Sequence, residues 1–161
     1  MHSRVFEIST EPIAAELRMD EYELPDWFCS GIADYVDSTL DEDREEELNW
    51  FRSRFAGNCS VDGDSVKFGP NTKHDYFLFN YNKFREAATV LAVCEYDAFC
   101  DSKPSSDFSM TIYKLQSSFE DRFGFYVYDR DNEELLTLDS WVRQKDLSLP
   151  YYIGSIIDYH W

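Results

Sequence analysis

The sequence predicts an α+β fold, a small mixed or antiparallel sheet packed against two or three helices. Short segments of alternating polarity near both ends of the chain supply strands. A long seam of apolar residues between 73 and 93 repeats at helical spacing. The composition, 43% apolar with 13 Phe, 11 Tyr and 4 Trp in 161 residues, supplies ample material for a core and argues against disorder. That length fits one domain, 1–161. The alternative within it is a compact core carrying an acidic N-terminal subdomain at about 1–57.

Residues 4–10 alternate and carry β-branched side chains, which gives a first strand. Residues 12–18 can form a short helix with Pro12 near its first turn. Pro25 breaks the chain before Trp27-Phe28-Cys29-Ser30-Gly31-Ile32-Ala33-Asp34-Tyr35. This stretch echoes Tyr151-Tyr152-Ile153-Gly154-Ser155-Ile156-Ile157-Asp158-Tyr159: both follow a proline, open on two aromatics and end Ile-x-Asp-Tyr. They read as two similar buried strands, with a duplicated unit as the alternative.

A helix follows over about 40–55, with Thr39 and Glu42 at capping-box spacing and acids in its first turn. Leu40, Leu48, Phe51 and Phe55 share a stripe, so the helix buries one side and turns Glu42, Asp43, Glu46 and Trp50 elsewhere. Residues 59–68, broken by Asp62-Gly63-Asp64, form a small hairpin. The best helix covers about 73–93, where Phe77, Tyr81, Phe84, Ala88 and Leu91 alternate steps of four and three. A loop at 102–107 leads to a helix at about 108–121 with Phe108, Ile112, Leu115 and Phe119 on one face. Residues 123–128 form a strand, 129–134 a turn into 135–138, 139–144 a short helix, and 151–159 the last strand.

A net charge of −17 and a pI near 4.3 disfavour direct binding to nucleic acid or an anionic membrane, since such binding neutralises phosphate with Lys and Arg. Basic proteins are the natural partners. Cys29, Cys59, Cys94 and Cys100 form no C-x-x-C pair, and no apolar signal segment follows Met1-His2-Ser3-Arg4. The expectation is a cytoplasmic, reduced protein. The run from Ala87 to Cys94 is too short to span a membrane, and Asn58-Cys59-Ser60 matches a glycosylation pattern by chance.

No motif names a reaction. With 32 Asp and Glu, carboxylate pairs occur at every catalytic-looking spacing and none stands out. Asp129-x-Asp131-x-Glu133 begins like a calcium loop, but Glu134 stands where the loop needs glycine and Ser140 where it needs the closing glutamate. His2, His74 and His160 lack metal spacing. His74-Asp75 suits local capping at a helix start, and no Gly-rich phosphate loop exists. The aromatics of Phe77-Leu78-Phe79 and Phe125-Tyr126-Val127-Tyr128 could stack bases, but the surrounding charge repels phosphate, and core packing is the expected role. No catalytic residue, metal or cofactor is expected.

The charge itself is the strongest signal. From Glu16 to Glu47, thirteen acids face only Arg18 and Arg44, a net of −11 out of −17. Such concentration costs folding free energy through self-repulsion. Carboxylates at successive turns approximate a row of phosphates and offer bidentate acceptors to arginine. The residues expected to meet a partner are Asp41, Glu42, Asp43, Glu45, Glu46 and Glu47, with Asp20, Glu21, Glu23 and Asp26 nearby. Trp27 and Trp50 are candidate aromatic anchors.

With Glu21-Tyr22-Glu23-Leu24-Pro25, the run from Asp41 to Glu47 and its overall charge, the chain resembles small acidic anti-defence proteins of phages and conjugative elements. These are the antirestriction and anti-CRISPR inhibitors that mimic nucleic acid. The resemblance is one of character over most of the chain. The aromatic seam from Phe77 to Leu91 departs from the elongated mimics and suggests a more globular body. The resemblance implies a non-enzymatic inhibitor that occupies the nucleic-acid cleft of a CRISPR effector or restriction enzyme. The alternative is an interaction module or adaptor that binds through an aromatic surface, with its charge serving solubility.

Overall fold

The computed structural model describes residues 1–161, the side chain of Asp41 excepted. The chain runs β1 (His2–Ser9), α1 (Asp26–Gly31), β2 (Tyr35–Ser38), α2 (Arg44–Ser53), β3 (Cys59–Asp62), β4 (Ser65–Phe68), α3 (Thr72–Ala92), α4 (Tyr96–Cys100), α5 (Ser106–Phe119), β5 (Tyr126–Asp129), β6 (Glu134–Thr137), α6 (Leu138–Gln144) and β7 (Tyr151–His160). Single 3-10 turns lie at Ala15–Leu17, Glu21–Glu23 and Asp41–Asp43. The expected α+β class holds: the seven strands form one mixed sheet, six in the order β3-β4-β7-β1-β5-β6 and the seventh, β2, paired to β7 off that path.

β7 organises the sheet. One edge pairs antiparallel with β1 along its length. The other edge is shared, with β4 at Tyr151 and Tyr152 and β2 from Ile157 to His160. β1 and β5 are the parallel pair. Residues 1–57 thus give β1 and β2 to the same sheet as the C-terminal strands. In the β3–β4 hairpin, Gly63 supplies a left-handed residue at φ 56°, which suits glycine.

Alternation along the strands loads both faces. One face collects Phe6, Ile8, Val127, Ile153 and Ile156 beneath Phe51 and Phe55 of the α2 segment and Trp141 and Val142 of α6. The other holds Val5, Tyr126, Ile157 and Tyr159 under Phe28, Met19 and Leu24.

Three expectations are corrected. The stretch at 27–35 is not a strand. Pro25, at φ −61°, starts α1, Asp26 occupies its first turn, and Phe28 is its buried residue. Because β7 remains a strand, the sequence echo is not a repeat of structure. The helix expected at 12–18 is only a 3-10 turn. Beyond it, Met19 N–H donates to Glu7 and Arg18 to Asp64, which holds the chain extended. Finally, α2 begins at Arg44, and Thr39 does not cap it: its N–H and hydroxyl both donate to Ile156 O, at 3.1 and 2.9 Å. Leu40 leaves the expected stripe and is 61% exposed, while Phe51 and Phe55 are fully buried.

α3 occupies the expected residues and pairs with α5 as a two-helix arm. One helix partner covers one side, so Phe77 and Phe84 are half-buried while Leu78, Phe79 and Tyr81 are exposed. Core packing, expected for Phe77-Leu78-Phe79, therefore fails for Leu78 and Phe79. No helix among the described residues is long and apolar enough to cross a membrane.

Candidate acidic interface

The 3-10 turn at Glu21–Glu23 closes on itself. The Asp20 side chain accepts from Tyr22 N–H at 2.9 Å, and Glu23 accepts from Asp20 N–H at 2.7 Å. This reciprocal capping satisfies the free donors of the turn and leaves Asp20 and Glu23 at the surface. Ser38 donates its hydroxyl to Glu21, tying the turn to β2. Thr39, held on Ile156, then leads into the acidic run. The two acidic segments are joined through β2 and the sheet edge.

Glu42, Asp43, Glu45 and Glu46 are exposed, and none forms an ion pair among the described residues. Neighbours three and four apart on such a surface repel. The positive end of the α2 dipole offsets part of that cost. Asp41 belongs to the same turn, but its side chain lies outside the described residues. Asp26 is exposed in the first turn of α1.

The two arginines of this window do not neutralise it. Arg18 donates to Asp64 Oδ2 at 2.7 Å and Arg44 to Oδ1 at 2.6 Å. Asp64 lies outside the window, in the β3–β4 turn. One carboxylate therefore holds both guanidinium groups of the acidic stretch, so neither pairs with Glu42, Asp43, Glu45 or Glu46.

Glu47 is a correction to the expected interface. It is 7% exposed and receives both Nε and Nη2 of Arg4, at 2.8 and 2.7 Å. Asp158 takes a further nitrogen of the same guanidinium. Glu47 directly follows the exposed Glu46, but it lies on the face of α2 that turns toward the sheet, and an acid there serves the fold.

The two tryptophans are not brought together. Trp50, 37% exposed, packs edge-on against Phe125 at 4.8 Å with the Arg4 guanidinium 4.9 Å from its ring. It lines a groove of about 930 Å³ between the body and the arm, with Arg54, Phe79, Lys83 and Tyr113. Trp27, 51% exposed, lines a separate cleft of about 730 Å³ with Phe84, Phe119, Tyr126 and Leu135.

Sequence reasoning missed the exposed apolar side chains of the arm: Phe79, Val90, Val93, Tyr96, Phe99 and Met110 are 52% to 77% exposed. The signal was present, since Phe79 and Val90 lie off the Phe77–Leu91 seam. The arm is fixed to the body by Asp139, which accepts from Tyr76 OH at 2.9 Å and Asp121 N–H at 2.8 Å. Arg143 adds a contact by stacking on Phe77 and Phe119.

Two acids at the β5–β6 turn, Asp129 and Asp131, are committed to the fold. Asp129 pairs with Lys145, and Asp131 accepts from Ser9 and Thr10. Among the described residues, no three His, Cys, Asp or Glu side chains converge to hold a metal ion. Comparison of the chain with family models, curated proteins and solved structures gives no match.

Proposed function

We propose that this protein is a non-enzymatic inhibitor that competes with DNA or RNA for the basic cleft of a defence nuclease, such as a CRISPR effector or restriction enzyme. The observation that carries this reading is the set of free carboxylates at Glu42, Asp43, Glu45 and Glu46, left unneutralised because Asp64 holds Arg18 and Arg44. Asp20, Glu23 and Asp26 extend the surface, with Glu21 half-buried behind them. Carboxylates spaced over a helix start and an adjoining turn present fixed negative charge to guanidinium groups that otherwise grip phosphate. The recognition is electrostatic, so it is steered at long range and screened by salt.

A second reading, an interaction module that binds through an aromatic surface, is favoured by the exposed apolar side chains of the arm. Salt separates the two. Tagged protein is used to capture partners from nuclease-treated bacterial lysate, with washes at low and high salt and competition by duplex DNA. A basic nuclease released by salt and displaced by DNA supports the inhibitor. A salt-resistant partner indifferent to DNA supports the module and overturns the mimic.

A further inference from the structure

We propose that the free edge of β6 is a docking site for an extended peptide segment of a partner protein, apolar where it enters the cleft beside Trp27 and basic where it leaves. The first observation is the backbone. β6 ends the sheet, and its pairing with β5 fixes which of its groups are already used. Leu138 N–H donates to Phe125 O at 2.7 Å, and Arg130 N–H to Ile8 O at 2.9 Å. By the alternation of an antiparallel ladder, Leu136 then turns its N–H and C=O to β5. Leu135 turns both of its groups outward, as Thr137 does its N–H, and these have no hydrogen-bond partner among the described residues. Leu135 is only 7% exposed, and unpaired backbone groups so poorly hydrated are costly. A strand laid along β6 supplies the missing partners.

The second observation is the cleft of about 730 Å³ at this edge. Leu135 belongs to one face of the sheet and Leu136 to the other, yet both line the cleft, so it wraps the edge itself. Phe84 and Leu115 of the arm form one wall, and Trp27 and Ile32 of the α1 segment the other. Successive side chains of a strand point to opposite faces, so each residue of an added strand meets an apolar wall. A segment apolar at consecutive positions fits, as in strands buried on both faces. An apolar small molecule would fill the walls but leave the backbone of Leu135 and Thr137 unpaired.

Charge defines the occupant further. Inside the cleft, Glu120 accepts from the hydroxyls of Thr137 and Ser140, and Arg122 donates to Gly31 O. These charges are opposite and already engaged, so the cleft asks for uncharged side chains. Its borders are acidic. Glu134 opens β6, exposed and without an ion pair among the described residues, and the exposed Asp26 precedes Trp27. A residue paired across from Glu134 stands close enough for a cross-strand ion pair, and in a chain of net −17 that position selects Lys or Arg. A second copy of this chain is not the occupant, because its own β6 lies between the same walls and the two edges are held apart.

A phage-displayed heptapeptide library panned on the full chain tests the proposal. Enrichment of peptides with a run of apolar residues beside Lys or Arg is expected. The strongest of them, synthesised and titrated into isotope-labelled protein, should shift the Leu135 and Thr137 amides and slow their exchange. Methylating alternate backbone nitrogens of that peptide should weaken binding at least tenfold in one register and little in the other, since only one set faces β6. On the protein, Thr137→Ala and Thr137→Pro both lose the side chain that caps α6, but only proline removes the N–H. The native φ of −60° suits it. Thr137→Pro should weaken binding at least tenfold relative to Thr137→Ala, and Glu134→Lys should remove the preference for a basic neighbour. Should Thr137→Pro fail to fold, the methylated peptides still decide the matter on the parent chain. No enrichment over uncoated support, or a selected peptide indifferent to methylation in both registers, overturns the proposal. Neither result bears on the acidic interface, because no nuclease is present in the assay.

Discussion

Glu47 meets Arg4 with both carboxylate oxygens, so the last acid of the Asp41–Glu47 run points into the protein rather than at a partner. The Arg4 and Glu47 side chains are 13% and 9% exposed, and the pair joins β1 to α2 across the sheet. Removing one partner of such a pair strands the other charge where water reaches it poorly. Glu47→Ala should lower unfolding free energy by about 3 kcal/mol, with Asp158 partly holding Arg4. Glu46→Ala, on the exposed face, should change it by no more than about 0.5 kcal/mol. Urea denaturation of the two variants side by side measures the contrast. Equal effects would contradict the assignment of Glu47 to the fold.

Gly154 makes room for Glu7, a carboxylate wholly enclosed by the sheet. Glu7 is 0% exposed, pairs with Arg130 and accepts from Met19 N–H at 3.0 Å and Ser155 N–H at 2.8 Å. It sits where the β1–β7 register slips between Phe6 and Ile8. A β-carbon on Gly154 would fall on the Glu7 carboxylate and lie 2.8 Å from Ile13 Cδ1. Gly154→Ala should destabilise the fold by about 1–3 kcal/mol through overpacking. It should also loosen the segment hung from Met19, seen as faster amide exchange at Met19 and Ser155. Unchanged exchange there would separate Glu7 from the anchoring of the acidic turn.

Two aspartates give pH dependences of opposite sign. Burial raises the Asp139 carboxyl above its ordinary value, against hydrogen bonds from Asp121 N–H and Tyr76 and the charge of Arg143. The folded state then binds this proton more tightly than the unfolded chain. Its contribution is full below the unfolded value of about 4 and is lost as pH rises through the raised folded value. Burial also pushes Asp131 up, but hydrogen bonds from Ser9 and Thr10 outweigh it and hold the carboxyl below its ordinary range. Its contribution is present above about 4 and lost as pH falls through the lowered value. Thermal melts of Asp139→Asn and Asp131→Asn against the parent, from acid to neutral pH, should show gaps of opposite slope. Parallel curves would refute both assignments.

Thiol chemistry checks the packing independently. Cys29, Cys94 and Cys100 are exposed and Cys59 is buried. Burial pushes the Cys59 thiol up to about 12, only partly opposed by the charge of Arg52. Because the thiolate is the reactive species, a disulfide reagent at neutral pH should consume three thiols quickly and the fourth only on unfolding. Four equal rates would mean that the β3 end of the core opens readily.

Much of this architecture was legible because it is local. The period of α3, the Asp62-Gly63-Asp64 turn and the alternation of β1 and β7 are written within a few residues of where they act. Residues 26–31 misled for a local reason too: two adjacent aromatics look like a strand, whereas Pro25 and Asp26 mark a helix start. The candidate interface was less legible, since its outline depends on distant partners. Glu47 is withdrawn from the surface by Arg4, 43 positions away, and the window keeps its charge because Asp64 takes both arginines. The exposure of the arm follows from how many neighbours α3 acquires, which no periodicity within α3 reveals.

Reversing the free acids is the sharpest test of the proposed interface. Glu42→Lys, Glu45→Lys and Glu46→Lys alter side chains that make no ion pair among the described residues. The fold should hold, with a modest loss as the α2 dipole loses its acids. Against a basic nuclease target, reversal should slow association by about tenfold or more and flatten its dependence on ionic strength, because steering comes from these charges. Dissociation should change less, since exposed charges at an interface act mainly on encounter. Stopped-flow association at several salt concentrations reads both quantities. A folded triple variant that associates at the parent rate, with the parent salt slope, would remove this surface from the mechanism and shift recognition to the apolar arm.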